Sequence, residues 1–407
     1  MKKGLFIANL ILLAQFSFAQ TFTNYSDVDG LVSNNVLCVD ANAADNIWFG
    51  TQLGVSNFDG ASWTTYEVAT YPDMADNNIL SIYVDASGRT WIGTDFGTSV
   101  LEADAWTTYT TDDGLGNNKV QCISQDSDGN MWFGTITGLS KFDGAAWTNF
   151  GTGDGLPFGG VNSITPNADG NLWLGTGLGG VAIYNGTDFT EITEDDGLIS
   201  DKIRAIDFSP SGQTWVATAD GVATLNDADV VIANHTTIFT LPEPDTLNPI
   251  VDVKVDDNGV VWAGVYVDYL VSEGGVCAYN GSTWFEFDMS DGLAGPVING
   301  LDIDENNDVW VVTSTGVTKI SDHTLDLDQN GVRKISSLNC YPNPTNSVLN
   351  IDPATEQLGQ ELTIYNVLGE TVLATKMTLN LTIEISNWNP GLYFMVSGQS
   401  REKLIVE

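Results

Sequence analysis

The sequence is poor in positive charge. It has 14 Lys and Arg against 53 Asp and Glu, a formal net charge of −39. Such a surface repels nucleic acid and anionic membranes, which argues against nucleic-acid partners and favours cations or neutral sugars. Histidine is scarcer still, with only His235 and His323. A P-loop, a GxSxG elbow and Cys/His metal spacing are all missing, so no catalytic constellation is visible and the chain is not expected to be an enzyme. No resident metal or cofactor is called for; calcium in the Asp-rich turns is the only ion the composition suggests. Cysteine is limited to Cys38, Cys122, Cys277 and Cys340. After the N-terminus no stretch approaches the roughly 18 apolar residues of a membrane helix, so no span is expected.

The N-terminus, MKKGLFIANLILLAQFSFAQ, has a basic start, an apolar run and a small-residue exit. That pattern predicts a signal peptide over residues 1–19, cut between Ala19 and Gln20.

The chain does have a repeat. Trp48, Trp91, Trp132, Trp173, Trp215, Trp262 and Trp310 are separated by 43, 41, 41, 42, 47 and 48 residues. Twelve positions before each Trp stand Val36, Ile79, Val120, Val161, Ile203, Ile250 and Ile298. Ten positions before stand Cys38, Ser81, Cys122, Ser163, Ala205, Asp252 and Gly300, nearly all small. A period in the forties with strand patterning predicts one propeller blade per repeat, the small residues marking a crowded innermost strand. Turns such as DASG, DSDG and DDNG follow that strand. Gly-Thr pairs follow the Trp, then a third strand such as GVSNFDG, then a fourth with Trp63, Trp106, Trp147, Phe189, Phe239 or Trp284. The seventh repeat lacks its fourth strand, but TFTNYSDVDGL after the signal peptide matches WTTYTTDDGL at 106–115. Phe22 stands where Trp106 stands, so the N-terminal strand is expected to close the last blade beside Gly316–Ile320. The prediction is an all-β chain: a seven-bladed β-propeller over 20–324, then a linker over 325–337. Non-adjacent blades hold the cysteines too far apart for a disulfide. His235 falls in an irregular stretch after the third strand of blade five, and both histidines read as surface residues.

In the linker, Asp326, Asp328, Asn330 and Gly331 open like an EF-hand loop, but Ser337 stands where a bidentate Glu is needed. Residues 338–407 alternate short apolar runs with Gly, Pro and Asn clusters, which predicts a small Ig-like β-sandwich.

The ordered elements DGL, DG-x-x-W-x-G-T and G-x-x-x-F-DG resemble the two-component-regulator propeller repeat. That resemblance implies a periplasmic sensor-type propeller, of the kind that often forms the sensor half of hybrid histidine kinases that answer to glycans. The tail is similar to the type A C-terminal sorting domain of type IX secretion in Bacteroidetes. Tyr341, Pro342, Asn343, Pro344, Gly369, Gly391 and Tyr393 carry the likeness. It implies export through the type IX machinery, removal of the tail, and release or attachment at the cell surface.

The face expected to bind ligand carries the loops leading into the innermost strands and those between second and third strands. Asn34, Asn77 and Asn118 begin inner strands there, as ligand groups or as turn caps. Blade six has a longer loop with Tyr266, Asp268 and Tyr269, and Phe96 and Phe158 fall in loops of the same face. Rings beside carboxylates suit sugar stacking. The expected function is a secreted or cell-surface, non-enzymatic binding or scaffold propeller for a glycan or an envelope protein. The alternatives are a polysaccharide lyase or hydrolase on that face, and a module serving a separate membrane sensor.

Overall fold

The computed structural model describes residues 20–41, 46–239, 248–265, 274–321, 339–341, 345, 347–352, 361–366, 371–378, 381–397 and 400–406. Two compact units divide after Gln329. The signal peptide, the linker with its EF-hand-like stretch, and His323 lie outside the described residues.

The first unit holds seven antiparallel sheets of four strands. Blade one is Val36–Asp40, Ile47–Thr51, Val55–Phe58 and Trp63–Tyr66, in that order from the inside outwards. Blade seven is Ile298–Ile303, Val309–Thr313 and Gly316–Ser321, completed by the N-terminal strand Thr21–Tyr25. Phe22 pairs with Ile320 and Tyr25 with Val317, so the two ends of the ring share one sheet as the repeat required. That pairing removes an open edge that would otherwise template aggregation.

The crowding near the axis follows a rule of pairs. The small inner residue of each blade lies opposite the residue after its Trp's neighbour: Cys38 faces Gly50, Ser81 faces Gly93, Cys122 faces Gly134 and Ser163 faces Gly175. A Cβ on Gly134 would run into Cys122 and the Val161 carbonyl of the next blade. The two departures from small residues compensate within their own pairs. Asp252 faces Gly264, and Val312 faces Gly300.

The Trp of each second strand is packed by a stack. Trp48 on Tyr66, Trp91 on Tyr109, Trp132 on Phe150, Trp262 on Phe287 and Trp310 on Tyr25 have ring centroids 5.7–6.2 Å apart and planes within 25°. In blade four Ile192 takes that place, in one apolar cluster with Trp173. In blade five it is His235, 5.7 Å from Trp215 at 21°. Two sequence expectations are thereby corrected. The fourth strand of blade five is Val231–His235, with Val231 at the outer aromatic position opposite Leu225. His235 is half-buried in the stack, not a surface residue. Phe239 lies beyond the strand, buried, bonded to Asn248 through its N–H (2.8 Å) and its carbonyl (3.0 Å).

The DGL turns now have a mechanical role. Gly30, Gly114 and Gly292 adopt φ of +129°, +115° and +130°, and each packs on the fourth-strand aromatic of the blade it leads into: Trp63, Trp147 and Phe22. A side chain there would meet both the backbone preference and the ring. The Leu of each turn, such as Leu31, Leu115 and Leu156, is buried between blades.

In the second unit, a three-stranded sheet (Asn339–Tyr341, Val348–Asp352, Leu381–Glu384) and a four-stranded sheet (Thr371–Lys376, Glu361–Asn366, Gly391–Ser397, Ser400–Val406) share one apolar core. Leu349, Ile351, Leu362, Ile364 and Leu404 fill it. Tyr393 packs on Trp388 and its hydroxyl donates to the Asn389 carbonyl at 2.8 Å. Gly391 begins the strand that carries Tyr393, and Tyr341 ends the first strand. Pro342, Asn343, Pro344 and Gly369 lie outside the described residues.

Candidate ligand-binding face and central channel

Because each blade is a meander, the loops into its first strand and between its second and third strands meet on one face, here called the top. A threonine organises the second kind of loop. Thr51 Oγ1 donates to the Gly54 carbonyl (2.9 Å) and accepts the Leu53 N–H (3.0 Å). Thr94, Gly97 and Phe96 repeat this at 3.0 Å each. Thr135, Thr176, Thr218 and Thr313 bond to their own loop glycines in the same way. With the loop polar groups satisfied internally, the loop-tip side chain turns outward.

In blades one to four those tips are apolar. Leu53, Phe96, Ile136 and Leu178 are exposed, and Phe158, from the loop leading into blade four, is 72% exposed. In blades five and seven the corresponding loops carry Ala219 and Asp220, and Ser314 and Thr315. Sequence reasoning had singled out the two phenylalanines alone; the repeating Gly-Thr signal would have located the rest. Tyr266, Asp268 and Tyr269 lie outside the described residues. Asn34, Asn77 and Asn118 do lie at the top, but each has its side-chain oxygen committed to a backbone N–H, of Asp27 (2.7 Å), Val68 (2.8 Å) and Thr111 (2.8 Å). They fasten the DGL-type turns to the inner strands.

The channel wall differs between blades as well. Eight residues before the Trp stand Asp40, Tyr83, Ser124 and Thr165, then Asp207, Lys254 and Asp302. Several of these staple one blade to the next. Asp40 accepts the Val84 N–H (2.9 Å), Asp207 the Val255 N–H (2.7 Å), and Asp302 the Ala41 N–H (2.8 Å). The last of these fastens blade seven to blade one. Lys254 is 3.0 Å from Asp302, its side chain 36% exposed to the channel. Burial works against its ammonium, but Asp302, Asp252 and Asp207 outweigh that and hold the proton firmly. Burial pushes the Asp252 carboxyl up to about 6 in spite of Lys254, and raises Asp207 too. The sequence offered no signal for this cluster, because its members come from three neighbouring blades and only the packing of blade on blade brings them together.

His235 accepts a hydrogen bond from Trp284 Nε1 at 3.3 Å, and burial lowers its pKa. It is therefore a neutral packing residue within blade five. Cys38, Cys122 and Cys277 are free thiols, pushed up by burial, the first two to about 12. Among the described residues no group of three acid, His or Cys side chains could hold a metal ion.

Comparison with known proteins bears on both units. Residues 73–96, 114–137 and 155–177 match the family model described as two component regulator propeller. Residues 339–407 match the secretion system C-terminal sorting domain. The chain carries two-component-regulator propeller repeats and a type IX sorting tail. Such a tail directs export, so the chain is secreted or held on the cell surface. No helix among the described residues is long and apolar enough to cross a membrane.

Among solved structures, the extracellular domain of a hybrid two component system from B. thetaiotaomicron has 18% identity and a TM-score of 0.62, over 92% of this chain and 52% of that one. PorZ, a surface component of the type-IX secretion system of Porphyromonas gingivalis, has 16% identity and a TM-score of 0.58, over 93% and 60%. Virginiamycin B lyase from Staphylococcus aureus has 12% identity and a TM-score of 0.57, over 74% and 98%. The chain thus spans little more than half the length of the first two, and at these identities the likeness shows the fold alone. No curated protein matches in sequence.

Proposed function

We propose that this is a non-enzymatic binding propeller, displayed on or released from the cell surface, whose top face takes a glycan. The observation that carries the reading is the row of outward apolar tips on blades one to four, with the Phe96 and Phe158 rings at 63% and 72% exposure. Flat, rigid rings beside carboxylate-bearing turns suit the apolar faces and hydroxyl edges of sugars. Tyr266, Asp268 and Tyr269 of blade six belong to the same proposed face. The propeller lyase from Staphylococcus aureus shows that the fold admits catalysis; in this chain the His235 ring is committed to the stack on Trp215.

The test is binding to a glycan array, repeated with Phe96→Ala plus Phe158→Ala. At least a tenfold loss of retention, with an unchanged thermal melt, is expected. Undiminished binding by the double variant would remove these rings from the site. Product release from a polysaccharide panel would replace the binding reading with an enzymatic one.

A further inference from the structure

The outward tips of blades three and four stand on one continuous piece of backbone. Three loops take part: 135–138 between the second and third strands of blade three, 151–160 leading into blade four, and 176–180 between the second and third strands of blade four. Glycines let these loops touch with no side chain in between. Gly159 has φ of +119°, and a Cβ there would come within 2.6 Å of the Leu178 nitrogen and 3.1 Å of the Leu178 Cβ. Gly160 has φ of +74°, and its Cβ would come within 2.7 Å of the Ile136 carbonyl oxygen. A Cβ on Gly179 would strike the Pro157 ring. The Gly177 N–H donates to the Gly160 carbonyl at 3.4 Å. Backbone therefore fills the space between the loops, and the side chains face outwards. Ile136 is 46% exposed, Phe158 72% and Leu178 53%, with Pro157 half-buried beside them. Three large apolar groups on touching loops make a patch, which scattered surface apolars do not.

The polar groups of these loops are spent within them. Thr135 Oγ1 accepts the Thr137 N–H (3.4 Å), and Thr176 Oγ1 accepts the Gly179 N–H (2.8 Å). Asp154 is exposed in the second loop, but its carboxylate turns back to accept the Gly151 N–H at 2.9 Å. None of the three loops contains Lys, Arg or His. In a chain of net charge −39 such surroundings favour a neutral ligand.

The aliphatic side chains decide the kind of sugar. A phenyl ring stacks on the apolar face of a pyranose, but Ile136 and Leu178 offer neither a flat face nor a hydrogen-bonding group. A hydroxyl laid on them gives up water without gaining a partner, which is unfavourable. A methyl group laid there gains from burial, by about fourfold in affinity. Three partly exposed side chains also fall well short of the about 800 Å² per partner that a stable protein interface buries, so the patch fits a sugar substituent better than a protein surface.

We propose that the patch of Ile136, Phe158 and Leu178 binds a neutral sugar through a methyl group, the sugar ring lying on Phe158 and the methyl against the aliphatic side chains beside it. The methyl is that of a 6-deoxy sugar or of an acetyl substituent. This rests on the glycan reading of the top face and narrows it to sugars that carry a methyl.

The experiment presents the full chain with six neutral sugars coupled to polyacrylamide, in pairs that differ by one group: L-rhamnose and L-mannose, L-fucose and L-galactose, N-acetylglucosamine and glucose. Wild type is expected to retain at least one methyl-bearing sugar about fourfold or more over its pair. Preference for rhamnose or fucose assigns a 6-deoxy methyl, and preference for N-acetylglucosamine alone assigns an acetyl. Ile136→Thr plus Leu178→Ser should bring retention of the preferred sugar down to that of its pair, with an unchanged thermal melt because both side chains are exposed. Retention by wild type should not fall as salt rises, since the contact is uncharged. Ile232→Thr, which removes an exposed apolar side chain from the outermost strand of blade five, should bind as wild type does. Equal retention within every pair, or a preference that survives the double variant, would overturn this inference and leave the glycan reading standing. Equal losses from Ile232→Thr and the double variant would also overturn it, by reducing the effect to general surface hydrophobicity. Retention of none of the six would overturn the inference, and silence on a wider array as well would sink the glycan reading with it.

Discussion

Blades one to four and blades five to seven share one backbone plan and handle charge in different ways. The first group holds all three stretches that match the repeat family. Its top loops end in apolar side chains, and the position eight residues before its Trp is neutral apart from Asp40. In the second group, blades five and seven carry Asp220 and Thr315 at the loop tips, and Asp207, Asp252, Asp302 and Lys254 gather in the channel. The comparison shows that the pleated frame depends on the Trp stack and the small inner pairs, which both groups keep. Wall and loop tips are left open to diverge.

Removing one cation from each group should separate them most clearly. Lys254→Met leaves three carboxylates without their counter-ion and should cost about 2 kcal/mol, less than a fully buried pair because the channel admits water. Lys141→Met removes a cation that lies over the Trp132 ring at 5.4 Å and should cost about 0.5 kcal/mol. Urea denaturation at pH 8 measures both. Similar losses would mean that the channel cluster is as well solvated as the outer surface.

The next contrast concerns the indole N–H of the blade tryptophans. Asp85 bonds Trp91 Nε1 (2.9 Å), Asp126 bonds Trp132 (2.7 Å) and Asp304 bonds Trp310 (2.9 Å). In blades four and five the same turn position is Asn167 or Ser209, and Trp173 Nε1 and Trp215 Nε1 are buried without an acceptor. One oxygen suffices to cap the turn, as Asn167 does; the second oxygen of a carboxylate is what reaches the ring. Asp126→Asn should therefore cost about 1–2 kcal/mol, and Ser209→Asp should gain up to about 1 kcal/mol by giving Trp215 a partner. A loss from Ser209→Asp would show that blade five has repacked around a smaller turn.

Acid should act on the two groups with opposite sign. Burial raises Asp85 and Asp126, but the bonds from Trp91 and Arg89, and from Trp132 and Asn130, bring both below 3.8. Their contribution is present above pH 3.8 and is lost as the pH falls through the native values. Asp252 is raised to about 6, so the native state binds that proton more tightly than the unfolded chain. Stability from blade six therefore rises as the pH falls from 6 towards 3.8. Asp252→Asn should flatten that rise, and at pH 8 should stabilise by about 1 kcal/mol. A profile unchanged between pH 4 and 7 would show that Lys254 already neutralises the site.

The sequence announced the frame because the frame is local and repeated. Each Trp, each inner apolar residue and the Phe22 strand can be placed by counting. What repetition encodes only indirectly was harder to see. The threonines that turn Leu53, Ile136 and Leu178 outward appear as a Gly-Thr pair without an evident task. Asn34, Asn77 and Asn118 look alike as turn fasteners or as ligand groups until their bonding partners are known. The channel cluster requires residues from three neighbouring blades, which only the packing of blade on blade assembles. Blade five misled for a physical reason. Its outer position holds Val231, so a search for an aromatic runs on to Phe239, and the strand that actually forms ends in a histidine.

That histidine offers the smallest and most local comparison. In five blades the residue stacked on the Trp is Tyr or Phe, and it cannot change charge at mild pH. In blade five His235 fills the same place, and burial holds its pKa below 6.5. A depressed value means that the neutral ring is the one that fits. Its stabilisation is complete above pH 6.5 and is lost as the pH falls through the native value. The Nδ1 that accepts from Trp284 is also forfeited on protonation, since imidazolium has no acceptor. His235→Phe restores the ring found in blades three and six and gives up a 3.3 Å bond. At pH 8 the two effects should nearly cancel, within about 0.5 kcal/mol. At pH 5 the variant should be the more stable protein, by the amount that wild type has lost. Should wild type and variant melt in parallel from pH 8 to pH 5, His235 is not neutral in the stack, and blade five would carry a stacked cation where the other blades carry a ring.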